Sequence, residues 1–233
     1  MKLLSVDSSA KSASVCITDD GKIISEVFVN VGLTHSQTLL PMIDSALKTA
    51  NLNINDIEAF CTTTGPGSFT GIRIGTAVIK GLAHVDNKKC AGVSTLEAMA
   101  YNLIDADCVA CCAMDARCNQ VYTALFECEN KKIKRLTQDI AISLEELYNI
   151  LKEINRPIVF VGDGAEICMN KIGHQLENAS IASEALRYQR AYGAVLAAIN
   201  AQSDLFVPPS ELSPVYLRPS QAERELKKKG ELR

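Results

Sequence analysis

The stretch Thr64-Gly65-Pro66-Gly67-Ser68-Phe69-Thr70-Gly71 joins an apolar run, Ile57 to Thr63, to a segment of helical periodicity, Phe69 to His84. A strand that enters a helix through glycines leaves backbone N–H groups and the positive helix end facing outward, where an anion could be held. No Lys-Ser/Thr pair follows, so this is not a P-loop, and Thr70 stands where a dinucleotide fingerprint has its third glycine. A tight strand-to-helix turn accounts for the same glycines. The helix it opens carries one apolar stripe of Ile74, Val78 and Leu82 and a second, rotated from it, of Ile72, Ile79 and Ala83. Between Gly71 and Ala83 only Arg73, Thr76 and Lys80 are polar. A surface helix needs one apolar face; two predict burial on both sides, one over its own sheet and one against a neighbouring helix or a partner chain. The sequence does not say which stripe faces outward.

Working outward, the chain before this stretch reads as strands at Lys2 to Val6, Ser12 to Thr18 and Lys22 to Val29, with Asp19-Asp20-Gly21 as a hairpin turn. A helix follows from about Ser36 to Ala50, with Pro41 in or just beyond its first turn. After the glycine helix come a strand at Lys89 to Val93 and a capping box, Ser94-Thr95-Leu96-Glu97, opening a helix to about Leu103. The pattern then restarts: strands at Cys108 to Met114, Gln120 to Cys128 and Lys132 to Ile142, and a capping box at Ser143-Leu144-Glu145-Glu146 that opens a helix to about Ile154. A strand at Pro157 to Val161 leads into Gly162-Asp163-Gly164, then helices near Ala165 to Ile172 and Tyr188 to Gln202, and an extended stretch from Pro208 to Pro219. The two halves begin alike, Val6-Asp7-Ser8 and Met114-Asp115-Ala116, each an apolar strand ending in aspartate. A β-β-β-α-β-α unit occurring twice predicts an α/β protein of the actin-like, Hsp70-like class (the ASKHA fold), with mixed sheets flanked by helices. The expected lobes are residues 1–103 and 104–222, followed by a charged tail, 223–233.

With 233 residues, 47% of them hydrophobic and 22% charged, the chain can bury sizeable cores. A net charge of −3 argues against a domain that grips nucleic-acid phosphates by itself. Nine cysteines, an odd number placed mostly in strand-like runs with no signal-peptide pattern, predict reduced, buried thiols in a cytoplasmic protein. Cys108-x-x-Cys111 has metal-knuckle spacing but no second pair to complete a site. The longest apolar runs are too short for a membrane span.

The run from Thr64 to Gly75 closely resembles the signature of the bacterial TsaB (YeaZ) family. So do His35-Ser36-Gln37 with Leu40-Pro41, Gly92-Val93-Ser94-Thr95-Leu96, Asp115-Ala116-Arg117 and Pro214-Val215-Tyr216-Leu217-Arg218, in family order across nearly the whole chain. The resemblance implies a two-lobed actin-like fold. It also implies a non-catalytic role in making N6-threonylcarbamoyladenosine at position 37 of tRNA, with a catalytic TsaD subunit as heterodimer partner, the ATPase TsaE, and threonylcarbamoyl-AMP as donor. It places the pairing surface on the glycine-loop helix and the helix before it. The partner-binding residues expected there are His35, Leu39, Leu40, Ile43 and Leu47, with Phe69, Arg73, Ile74, Ala77, Val78 and Leu82. Without its partner, the same apolar surface predicts a homodimer.

The related catalytic subunit has an H-x-x-x-H metal motif where this chain has Thr95-Leu96-Glu97-Ala98-Met99, without histidine, and Glu97 already belongs to the capping box. His35, His84 and His174 stand on separate elements, so no catalytic residue and no metal site are expected. Asp7-Ser8-Ser9 and Asp115-Ala116-Arg117 keep the aspartates of actin-like phosphate loops but lose the glycine. Asp7 and Asp115 could equally cap their turns. A vestigial nucleotide site would then comprise Asp7, Gly65, Gly67, Ser68, Asp115, Gly162 and Gly164; no cofactor is expected beyond room for ATP or ADP at the junction with the partner. An autonomous actin-like ATPase or kinase, or a metallopeptidase, is the alternative. Lys227-Lys228-Lys229 is read as a solvated end, with tRNA held mainly by the partner.

Overall fold

The structure, a computed structural model, describes residues 1–201 and 204–219; the expected charged tail, 223–233, lies outside them. The first half gives strands β1 (Lys2–Asp7), β2 (Ala13–Asp19) and β3 (Lys22–Val29), helix α1 (His35–Thr49), strand β4 (Ala59–Gly65), helix α2 (Phe69–His84), strand β5 (Cys90–Ser94) and helix α3 (Thr95–Ala100). The second gives β6 (Cys108–Asp115), β7 (Gln120–Glu129), β8 (Lys132–Arg135), β9 (Ile140–Ser143), α4 (Leu144–Leu151), β10 (Ile158–Val161), α5 (Ala165–Lys171), β11 (Ala179–Ile181), α6 (Glu184–Arg187), α7 (Ala191–Ile199) and β12 (Phe206–Val207).

The strands form two mixed sheets, β12-β5-β4-β1-β2-β3 and β11-β10-β6-β7-β8, with β9 also paired to β7. In each, an antiparallel meander supplies one side and parallel β-α-β connections the other: β3-β2-β1-β4-β5 in one lobe, β8/β9-β7-β6-β10-β11 in the other. This duplicated order is the actin-like fold. The β2–β3 turn has Asp20 and Gly21 both at positive φ, 47° and 77°, as a tight hairpin requires. Strand β6 alternates faces with period two: Ala110, Cys112 and Met114 pack toward α3, Val109, Cys111 and Ala113 toward α4 and α5.

Three details differ from the sequence reading. The single strand expected at Lys132 to Ile142 is two, β8 and β9, both paired with β7; Leu136 and Thr137 N–H groups both reach the Leu125 carbonyl, which breaks the ladder between them. The helix expected from Tyr188 starts at Ala191, because residues 184–187 form a separate turn, α6. Pro41 sits just beyond the first turn of α1, as read, on its exposed side. The segment 104–222, expected as one lobe, returns to the first sheet: α7 packs on β1, β2 and β4, and β12 pairs antiparallel with β5.

Sheet one is therefore covered on both faces. Helices α1 and α2 lie side by side on one, closing a core of Leu4, Val6, Ile17, Phe60 and Ile79. Helices α3 and α7 cover the other around Leu3, Cys61, Ala91 and Val195. Eight of the nine cysteines are buried and all nine are free thiols; Cys118, in the β6–β7 turn, is exposed, contrary to expectation. Among the described residues no helix is long and apolar enough to cross a membrane.

Candidate functional site

The glycine turn between β4 and α2 is filled by the chain itself. A Cβ on Gly67 (φ 153°) would sit 2.4 Å from the Ser9 carbonyl oxygen, and one on Gly71 2.0 Å from that of Ser8. Gly65 has the same relation to the Val215 carbonyl, at 2.3 Å. These distances are far inside van der Waals contact, so glycine is required for the β1–β2 turn and the C-terminal stretch to close on the loop. Two of the loop's N–H groups are used as well. Ser68 N–H donates to the Ser9 carbonyl at 2.6 Å, Gly71 N–H donates to Ser68 Oγ at 3.2 Å, and Ser8 Oγ donates to the Gly71 carbonyl at 2.9 Å. Ser68 is thus the N-cap of α2.

The second glycine pair behaves alike. Gly162 (φ 110°) lies against the Ala113 carbonyl, and the N–H of Gly164 donates to that carbonyl at 3.0 Å. Asp7 Oδ1 accepts from the N–H and Oγ of Ser9 at 3.0 and 2.8 Å; Asp115 Oδ1 accepts from Arg117 N–H at 2.7 Å. Each aspartate caps its own turn.

Between the lobes is a cleft of about 610 Å³, lined among others by Lys11, Ser68, Asp115, Tyr122, Asp163 and Arg218. Burial pushes the Asp163 carboxyl up to about 6, against the hydrogen bond it accepts from Gln189 Nε2 at 2.7 Å, with Asp115 and Asp7 adding repulsion. Burial also raises Asp7, opposed by its bonds from Ser9. Asp115 and Asp163 line the cleft, and the charge of Asp7, buried, is felt at Asp163. Asp163 was not among the expected site residues; its position inside a G-x-G turn at a strand end was the available signal.

At the position of the catalytic subunit's metal motif, Ser94 Oγ caps α3 by accepting from Glu97 N–H at 3.2 Å. The Glu97 carboxylate does not complete a capping box, contrary to expectation. It accepts from Arg135 at 2.7 Å, because Arg135 also binds Asp139 at 2.5 Å and lies 4.6 Å over the Phe126 ring. Ser94 Oγ donates to Asp139, also at 2.5 Å, so this network ties the first sheet to the second. Among the described residues no group of three or more His, Cys, Asp or Glu side chains is arranged to hold a metal. His35 is engaged elsewhere, its Nε2 2.7 Å from the Ala10 carbonyl.

The two stripes of α2 are now distinguished. Ile72, Ile79 and Ala83 are at most 1% exposed, over the sheet, while Ile74, Val78 and Leu82 are only partly covered. Arg73, Ala77 and Gly81 form the exposed crest between. A Cβ on Gly81 would meet nothing within 4 Å. On α1, Leu40 is 52% exposed and Leu47 half-buried, but Leu39 and Ile43 are 1% and 4% exposed inside the core. Those two were expected to meet a partner. They face the sheet instead, because i and i+4 share the inward face of α1, and they support the surface from beneath. Phe69 and Arg73 are held within the chain by Tyr216, whose motif was noted but whose contact was not foreseen. Phe69 and Tyr216 stack at 4.5 Å, the Arg73 guanidinium lies 3.9 Å over the Phe69 ring, and its Nε donates to Tyr216 Oη at 2.8 Å. Lys80 Nζ donates to the Leu212 carbonyl at 2.9 Å, so residues 210–216 run along one flank of α2 as a strap.

The sequence model of the family described as "TsaD: tRNA N6-adenosine threonylcarbamoyltransferase" matches residues 30–219. The tRNA threonylcarbamoyladenosine biosynthesis protein TsaB of Bacillus subtilis (strain 168) is 30% identical over 162 residues, 70% of this chain and 71% of its own. The protein of the same name from Escherichia coli (strain K12) is 31% identical over 167 residues, 70% and 72% of the two chains. A crystal structure of an uncharacterized Pseudomonas aeruginosa protein, described as similar to peptidase YEAZ, superposes with a TM-score of 0.77. It covers 93% of this chain and 99% of that one at 22% identity, a likeness of fold. Two relatives at or above 30% identity over two thirds of their length, with a family match over most of the chain, make this a member of the TsaB (YeaZ) family of tRNA threonylcarbamoyladenosine biosynthesis proteins.

Proposed function

We propose that this chain is the non-catalytic partner subunit in the formation of N6-threonylcarbamoyladenosine at position 37 of tRNA. It pairs with a TsaD-type catalytic subunit through the outer faces of α1 and α2, and acts together with a TsaE-type ATPase while the partner uses threonylcarbamoyl-AMP. The observation that carries the reading is the state of the glycine turn. The chain's own Ser8–Ser9 turn closes on its glycines and takes the Ser68 N–H, and the helix that the loop launches leaves Ile74, Val78 and Leu82 only partly covered. The loop is built to aim a helix, with phosphate binding secondary. The names of the relatives, and the match to a TsaD family model, support the reaction and the kind of partner.

Chemistry on this chain finds little support. Glu97 is committed to Arg135, and Asp7 and Asp115 to their own turns. The half-covered stripe on α2 also suits self-association, so the isolated chain is read as a homodimer that dissociates to pair. Co-purification with the TsaD-type subunit tests the reading: Ile74→Asp and Val78→Asp should each abolish the heterodimer and leave a folded monomer, since burying an unpaired carboxylate costs several kcal/mol. Normal pairing by either variant, or magnesium-dependent ATP turnover by the isolated chain at micromolar ATP, would overturn it.

A further inference from the structure

At the head of α2 one charged side chain is held still without a charged partner among the described residues. The Arg73 guanidinium is stacked 3.9 Å over Phe69, and Phe69 stacks on Tyr216 at 4.5 Å. Its Nε is fixed by donating to Tyr216 Oη at 2.8 Å. The Arg73 side chain is nonetheless exposed, and it makes no ion pair among the described residues. Other arginines of this chain that are immobilised in this way are neutralised: Arg135 by Glu97 and Asp139, Arg190 by Glu26, Arg187 by Glu166 and Glu184. Stacking on a ring and fixing Nε remove most of the rotamer freedom that an arginine loses on binding, and they leave the two terminal nitrogens as a pre-aimed fork. Such a fork matches a carboxylate in bidentate geometry.

Its surroundings say where that carboxylate comes from. Arg73 begins the exposed crest that continues through Ala77 and Gly81, flanked by Ile74, Val78 and Leu82, and exposed Val215 and Tyr216 flank it on the strap. An arginine framed by two aromatic rings at the end of a half-apolar helix face has the composition of an interface hot spot. We propose that Arg73, pre-oriented by Phe69 and Tyr216, is the electrostatic anchor of the pairing face and receives an Asp or Glu carboxylate of the catalytic subunit. This rests on the pairing role proposed above. It adds a residue-level rule: the strap, through Tyr216, sets the affinity of a helix it only flanks.

The test is the dissociation constant of the heterodimer at low and high salt, measured for Arg73→Ala, Arg73→Lys, Tyr216→Phe and Ile74→Asp, with thermal unfolding of each chain as the control for folding. Arg73→Ala should weaken pairing roughly 10- to 100-fold and flatten the salt dependence. Arg73→Lys should recover only part of the loss, and Tyr216→Phe, which keeps the ring but frees Nε, should lose a few-fold. Arg73→Glu should be rescued by an Asp or Glu to Arg change on the partner's interface. If Ile74→Asp abolishes pairing while Arg73→Ala leaves affinity and salt dependence unchanged, the anchor is wrong and the pairing face stands. If Ile74→Asp also pairs normally, the pairing reading itself fails. If Arg73→Ala pairs normally but the complex loses tRNA affinity, Arg73 serves a phosphate, and the carboxylate proposal is overturned.

Discussion

Gly71 and Gly81, ten residues apart on one helix, make opposite predictions. Gly71 has the Ser8 carbonyl where a Cβ would go, so Gly71→Ala must push the β1–β2 turn away and should destabilise the chain by at least ~2 kcal/mol, read by denaturant unfolding. Gly81 has open space around it, so Gly81→Ala should stabilise the isolated chain by ~0.5–1 kcal/mol through helix propensity. If the crest is a contact surface, the same added methyl should weaken pairing. Asp163 makes a prediction in pH. Its folded carboxyl keeps the proton up to about 6 where an unfolded one releases it near 3.8. The folded state therefore binds more protons in that window, and this group's contribution falls as pH rises through it and is flat above. Asp163→Asn should be more stable than the unsubstituted chain at neutral pH, by no more than about 3 kcal/mol, with the advantage vanishing below about pH 4. Unfolding measured across that range checks the sign.

At the scale of elements, what the sequence made legible followed period and capping. The two apolar stripes of α2 were visible as i, i+4 rows, but which faced outward was not, because periodicity gives the angle between faces and not what lies over each. The structure answers through the sheet, which takes Ile72, Ile79 and Ala83. On α1 the same limitation put Leu39 and Ile43 on the wrong side. The Ser143–Glu146 capping box formed as read, whereas the identical pattern at Ser94–Glu97 was diverted by Arg135, a partner 38 residues away that no local window contains. Tyr216, 143 residues beyond Arg73, was out of reach for the same reason. A leucine-to-alanine test separates support from contact: Leu39→Ala should cost ~2–5 kcal/mol of stability as a core truncation, while Leu40→Ala, on the exposed side, should leave unfolding nearly unchanged and lower affinity for the partner instead.

For the whole molecule, the duplicated β-β-β-α-β-α plan predicted two mixed sheets flanked by helices, as found. The return of α7, β12 and the strap to the first sheet was not predicted, since a helix so uniformly apolar gives no direction in which to dock. The proposed pairing role depends on that return. The strap closes on the glycine turn at Val215 and on α2 at Tyr216 and Lys80, so the segment that ends the second lobe holds the helix offered by the first. The measurement that tests the pairing role most directly is the rate of N6-threonylcarbamoyladenosine formation on tRNA as this chain is titrated into a fixed amount of TsaD-type subunit, with TsaE-type ATPase, threonylcarbamoyl-AMP and ATP supplied. We expect no product from this chain without the TsaD-type subunit, a rate that rises and saturates at equimolar addition, and no rise with Ile74→Asp. Product formed by this chain alone, or a full rise with Ile74→Asp, would contradict it.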